Sequence, residues 1–160
     1  MNSYENKLLC VGKNDNSIWF DSMEHYSKRI NQYVNFSIEY IPDVKTGKKS
    51  NPELVKNEEA KKLLLKIKKD DVVILLDEKG KAFSSKTFAK NVENQQNMGV
   101  KNLVFIIGGA FGFSEKIYLT FNNKVRLSDM TFSHQMIRLF FCEQLYRAYT
   151  IINNHPYHNF

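Results

Sequence analysis

Val72-Val73-Ile74-Leu75-Leu76-Asp77 and Leu103-Val104-Phe105-Ile106-Ile107-Gly108-Gly109 are continuous apolar runs, each stopped by a polar residue or a glycine. A strand with one wet face alternates apolar and polar side chains. A strand without alternation is covered on both faces, as in a parallel sheet sandwiched between helices. The segments around these runs carry a helical period. Trp19, Met23, Tyr26, Ile30 and Tyr33 share one face of a helix over 18–34. Asn51-Pro52-Glu53 supplies an N-cap, a proline for the first helical position and an acid for the first turn of a helix to about Lys69. Ser84 or Ser85 caps a third helix to about Asn97, Ser114-Glu115 starts a short one, and Ser133 to about Asn153 forms the last. Further strands are expected over 7–12, 36–41 and 125–127, with a turn at Glu78-Lys79-Gly80-Lys81. Strands alternating with helices make an α/β domain with a mainly parallel sheet and helices on both faces.

The chain has 160 residues, 42% of them hydrophobic and 25% charged, which suits one domain spanning 1–160 with a real core. No apolar run reaches the roughly 20 residues needed to cross a bilayer, and the N-terminus has no signal-peptide pattern. Cys10 and Cys142 lie in apolar segments without metal-ligand spacing, so they are expected to be buried free thiols. No metal is expected, and a reducing cytoplasm is the expected location. A formal charge of +6 favours a polyanionic partner.

Ligands of open α/β sheets bind beyond the carboxyl ends of the strands, and two such ends are Leu76-Asp77 and Ile107-Gly108. Gly108-Gly109-Ala110-Phe111-Gly112 fits neither the dinucleotide fingerprint, whose third glycine would fall at Phe113, nor a Walker A loop. These glycines either only turn the chain sharply, or let backbone approach a flat ligand walled by Ala110 and Phe111. A nucleotide-binding α/β enzyme is disfavoured by the two failed patterns.

Several ordered motifs extend over the chain. They include Val11-Gly12-Lys13, Tyr26-Ser27-Lys28-Arg29, Leu75-Leu76-Asp77-Glu78-Lys79-Gly80-Lys81 and Ile106-Ile107-Gly108-Gly109-Ala110-Phe111-Gly112-Phe113. Leu127-Ser128-Asp129-Met130-Thr131-Phe132-Ser133-His134, Glu143-Gln144-Leu145-Tyr146-Arg147-Ala148 and Pro156-Tyr157-His158 complete the set. In this order and spacing they resemble the RlmH family of ribosomal large-subunit RNA methyltransferases, in the SPOUT superfamily. The resemblance implies a C-terminal trefoil knot, a homodimer, and methylation by S-adenosylmethionine (SAM) of N3 of a pseudouridine in 23S rRNA of the assembled ribosome. Carried over by position, the SAM site is Leu76, Gly108, Leu127, Ser128, Asp129, Met130, Thr131 and Phe132. The chain departs from the family pattern at Arg126, at Ser133 in place of a proline, at Glu59 in place of a glycine, and in its extra Asn159-Phe160.

An imide nitrogen must lose its proton before or during attack, and a cation near its carbonyls favours the anion. Arg147, Tyr157, His158 and His134 are the catalytic candidates, with Arg138 a further cation. Spacing alone equally allows Arg147 to pair with Glu143, His134 to open a helix, and the tail to pack on the core. The general base is open between these side chains and ordered water. Apolar residues around most of the last helix call for a partner subunit over the side that one sheet leaves bare. Lys45, Lys48, Lys49 and Arg29 are the candidate phosphate contacts, while the lysines of the second helix form a solvated face. The competing assignment is a non-catalytic ribosome- or RNA-binding dimer with a vestigial SAM pocket.

Overall fold

A computed structural model describes residues 4–44 and 51–159. The elements run β1 (Glu5–Val11), α1 (Ser17–Ile30), β2 (Asn35–Ile41), α2 (Pro52–Lys66), β3 (Val72–Ala82), α3 (Ser85–Asn97), β4 (Asn102–Ile107), α4 (Glu115–Thr120), β5 (Lys124–Arg126) and α5 (Met136–Ile152). The five strands form one sheet, in order β2-β1-β4-β3-β5, and every pairing is parallel. The expected caps are in place: Asn51 Oδ1 accepts from Glu53 N, Ser84 Oγ from Thr87 N and Ser114 Oγ from Ile117 N.

The unalternated strands divide their side chains between two cores. Leu8, Cys10, Ile74, Leu76, Phe105 and Ile107 pack with Met23 of α1, Phe88 of α3 and Phe141 of α5. Leu9, Val11, Val73, Leu75, Val104 and Ile106 pack with Leu63 of α2 and Ile117 of α4. Burying a side chain such as Phe141 completely is worth about 2–3 kcal/mol. Both cysteines are buried and free, and burial pushes the Cys10 thiol up to about 12.

The expected turn after β3 is instead more strand. Residues 77–82 continue β3 past an irregularity, and β5 pairs with both Leu75-Leu76 and Lys81-Ala82. Asp77 makes the bend: its Oδ1 accepts from Lys79 N at 2.8 Å and its Oδ2 from the Tyr118 hydroxyl at 2.6 Å. Gly80 permits it, because a Cβ there would stand 2.6 Å from the Val125 backbone. Helix α2 stops at Lys66 because Ile67 turns extended.

Helix α5 begins later than expected. Ser133 Oγ accepts from Met136 N, and the Gln135 side chain donates to Lys13 O and accepts from Asp15 N. The helix packs between α1 and α3 over the middle of the sheet. Its path from the β5 edge therefore carries residues 127–135 across the carboxyl ends of β3 and β4. One chain covers much of α5 but leaves Phe140 39% exposed beside Phe132, the ring centroids 4.9 Å apart.

Candidate functional site

Three segments meet beyond the carboxyl ends of the strands. The end of β3 brings Leu76, Asp77 and Glu78; the end of β4 brings Ile107 and the glycine turn; residues 125–134 close the third side. They enclose a cavity of about 300 Å³. The turn is built for close approach. Gly112 takes φ +78° and its N–H bonds to Gly109 O at 3.0 Å, while a Cβ on Gly108 would press on the Phe113 ring at 3.3 Å. Ser128 Oγ accepts from Met130 N at 2.9 Å and shapes the opposite loop.

Of the residues expected to hold a cofactor, Leu76, Gly108, Leu127, Ser128, Met130, Thr131 and Phe132 all line this cavity. Asp129 does not: its carboxylate turns outward to pair with Arg126 at 2.9 Å. Phe111, expected as a wall, is half-exposed at the tip of its turn while Ala110 does line the space. The sequence placed Asp77 at a ligand-facing strand end but did not single out Glu78 or Ile137, which the strand extension and the start of α5 bring to the cavity. Among the described residues no group of three or more His, Cys, Asp or Glu side chains is arranged to hold a metal ion.

The polar candidates divide into two groups at opposite ends of α5. His134 lines the cavity, in a turn before the helix. Burial and the nearby Arg138 lower its pKa, which keeps the ring neutral at neutral pH, and Gln135 Nε2 lies 3.3 Å from its Nε2. Arg138 is fully buried, donating to Val11 O at 2.6 Å and Asn14 Oδ1 at 3.0 Å. It clamps α5 to the end of β1 and is not among the residues that line the cavity.

The second group is the tail. Asn154 takes φ 56°, His155 N bonds to Thr150 O and Asn154 N to Ile151 O. This left-handed cap reverses the chain at the end of α5. Tyr157 then lies edge-on to Tyr146, donates its hydroxyl to Glu143 Oε1 at 3.0 Å, and sits 4.8 Å beneath the Arg147 guanidinium. Arg147 donates to Glu143 and faces His158 Nδ1 at 3.1 Å. So the Glu143–Arg147 pair that spacing allowed does form, and it anchors Tyr157 and His158 as well. Burial and the Glu143 carboxylate push the Tyr157 phenol up to about 12. Glu143 also borders a second cavity of about 280 Å³, which shares Leu127, Ser128 and Phe132 with the first.

His134 and Arg147 are 13 residues apart, roughly 20 Å along a helix, so one chain does not bring the two groups together. Of the candidate phosphate contacts, Arg29 stacks on Tyr146 at 5.5 Å, beside the tail. Lys45, Lys48 and Lys49 lie outside the described residues.

A family described as predicted SPOUT methyltransferases matches residues 5–158, nearly the whole chain. The chain belongs to the SPOUT methyltransferase family. It is 49% identical over 153 residues to a ribosomal RNA large subunit methyltransferase H of Flavobacterium johnsoniae, covering 96% of this chain and 98% of that one. A protein of the same description from Christiangramia forsetii is 46% identical over the same shares, and one from Porphyromonas gingivalis is 43% identical over 95% and 97%. A solved structure of a probable methylase family protein from Haemophilus influenzae Rd KW20 superposes with a TM-score of 0.52 at 10% identity. It covers 99% of this chain and 71% of that one, a likeness of fold. The SPOUT membership agrees with the resemblance drawn from the motifs, and the parallel sheet with helices on both faces is the expected architecture.

Proposed function

We propose that this SPOUT protein is a SAM-dependent methyltransferase of large-subunit ribosomal RNA, acting on N3 of a pseudouridine in 23S rRNA of the assembled ribosome. The observation that carries the proposal is the cavity, in which Leu76, Gly108 and five residues of the 127–132 loop converge from separate parts of the chain. Leu76, Ile107, Leu127 and Phe132 offer an apolar slot for adenine, and the backbone of the glycine turn comes close because its glycines carry no side chain. These residues fit the cofactor, and a bound SAM supplies an electrophilic methyl group there. The path of residues 127–135 fits the threading of a trefoil knot within one domain spanning 1–160.

The protein's contribution is alignment and charge. The tail sits far along α5 from the cavity of its own chain. The proposal therefore includes a homodimer in which His158, Tyr157 and Arg147 of one subunit face the cavity of the other. There, Arg147 favours the anionic imide, while its bond to Glu143 fixes its direction. His158 accepts from Arg147 at Nδ1, which places the proton of the neutral ring on Nε2. His134 holds the cavity floor as a neutral ring. Asp129 retains a proposed place in cofactor binding through its grip on Arg126, which lines the cavity. No helix among the described residues is long and apolar enough to cross a membrane, and a cytoplasmic ribosome substrate is part of the same proposal.

The test is transfer of tritiated methyl from SAM to ribosomes lacking the modification, with pseudouridine-free ribosomes as control. Incorporation that requires pseudouridine is expected. Incorporation that ignores it overturns the substrate, and none at all, with SAM unbound, favours a non-catalytic ribosome-binding dimer.

A further inference from the structure

Glu59 is a buried acid in the wrong place for a surface helix. It is only 8% exposed, and a Cβ on Gly109 would stand 2.9 Å from its Oε1. Gly109 lines the cavity, so the carboxylate sits directly behind the cavity wall, separated from it by a residue without a side chain. Among the described residues Glu59 makes no hydrogen bond and no ion pair. Its charged surroundings come from two segments. Asp43, after β2, opposes its ionisation, and Lys62, one turn along α2, favours it less strongly. The glycine turn that packs on it carries no titratable side chain from Gly108 to Ser114. His134 stands across the same region and feels Asp43 as well. Lys62 is itself held by the carbonyls of Pro42 and Asp43, at 3.2 and 3.3 Å, not by Glu59.

A buried carboxyl with no partner is costly when ionised, unless a cation arrives beside it. SAM carries a sulfonium and an ammonium against one carboxylate, and so has net positive charge. We propose that Glu59 is the counter-charge of the cofactor cavity: it ionises across Gly109 when SAM binds, and makes SAM binding release a proton. The inference rests on the SAM assignment above and goes beyond it in naming a residue that does not line the cavity. Glu59 acts through the wall, as a positioning residue that holds the cationic end of the cofactor. Without ligand, burial and then Asp43 hold the Glu59 carboxyl up at about 7. It is therefore poised between its two forms at neutral pH, whereas burial and Arg138 shift His134 the other way, toward its neutral form.

The experiment is calorimetric titration of the full chain with SAM and with S-adenosylhomocysteine, which lacks the sulfonium charge. It is run at about pH 7 in phosphate and in Tris, whose ionisation heats differ. Wild type is expected to release about half a proton per SAM bound. Glu59→Gln, close to isosteric, is expected to release almost none. At about pH 8 it should bind SAM roughly three- to tenfold more weakly, with a smaller change for S-adenosylhomocysteine, and the SAM difference should shrink below about pH 6. SAM binding without proton release, or with release unchanged in Glu59→Gln, overturns the role of Glu59 and leaves the cofactor assignment standing. Absence of SAM binding in wild type overturns both.

Discussion

Alanine at Gly80 would place a methyl carbon 2.6 Å from the Val125 nitrogen and carbonyl carbon, and 2.7 Å from the Lys124 carbonyl carbon. Ordinary contact begins near 3.4 Å, so β3 and β5 must part by roughly 0.8 Å. All three obstacles are backbone, and no side chain can swing aside. Overpacking of this kind costs about 1–3 kcal/mol, and the upper end applies where neither side can relax. For a domain of this size that is a fall in Tm of roughly 4–12 °C. Because Val125, Arg126 and Leu127 wall the cavity, the strain should also weaken SAM binding several-fold. Gly99→Ala is the control. It meets nothing within 4 Å but has φ +78°, so it should cost only the left-handed strain of about 1 kcal/mol and leave SAM affinity alone. Thermal melts and SAM titrations of both variants decide the matter. A Gly80→Ala protein that melts no lower than Gly99→Ala, or binds SAM like wild type, refutes the claim that the extension of β3 onto β5 shapes the cavity.

Gly109→Ala should lose about 1 kcal/mol through contact with Glu59, and Glu59→Ala in the same chain should recover it; additive losses in a double-mutant cycle would show that the two do not touch. His158→Ala is expected to lower the single-turnover methyl-transfer rate by about a hundredfold while SAM affinity holds, and an unchanged rate sinks the role given to the tail. Glu143→Ala removes the acceptor shared by Arg147 and Tyr157, so it should cost about 1–3 kcal/mol and leave amides 155–158 exchanging faster with solvent. Glu59 also predicts a pH dependence of stability. Its folded pKa of about 7 lies above the usual 4.5, so between these values the folded chain binds more protons than the unfolded one, and stability falls as pH rises through that window. Glu59→Gln should therefore stabilise the protein by about 1–3 kcal/mol more at pH 8 than at pH 5 in denaturant melts, and an equal effect at both would contradict the shift.

Much of the fold was legible because its signals are local. Asn51-Pro52, Ser84 and Ser114 cap helices through bonds to amides within three residues, and these form whatever surrounds them. Val72 to Leu76 and Leu103 to Ile107 lack alternation, which required two covered faces, and two separate cores supply them. Missed features depend on distant partners. Glu78-Lys79-Gly80-Lys81 has the composition of a turn, and it becomes strand only because β5 pairs across it and Tyr118 holds Asp77. Gln135 has helical dihedrals, and its side chain is engaged by Lys13 and Asp15, more than a hundred residues earlier.

The candidate site divides the same way. By itself the sequence determined the parallel α/β architecture and the motif order that resembles the SPOUT methyltransferases, and it pointed to the end of the sheet where the cavity lies. Of the eight positions that motif order assigned to the cofactor, seven line the cavity. Tertiary structure alone turned Asp129 outward and buried Arg138 as a clamp on Val11. It also folded Tyr157 and His158 back on Glu143 and Arg147, through a left-handed Asn154. It put Glu59 behind Gly109, where helical spacing gives no hint of a cofactor. The physical reason is range. Caps, periodicity and glycine freedom act within a few residues, whereas desolvation and the partner of a charged side chain are set by whichever segments the fold brings alongside.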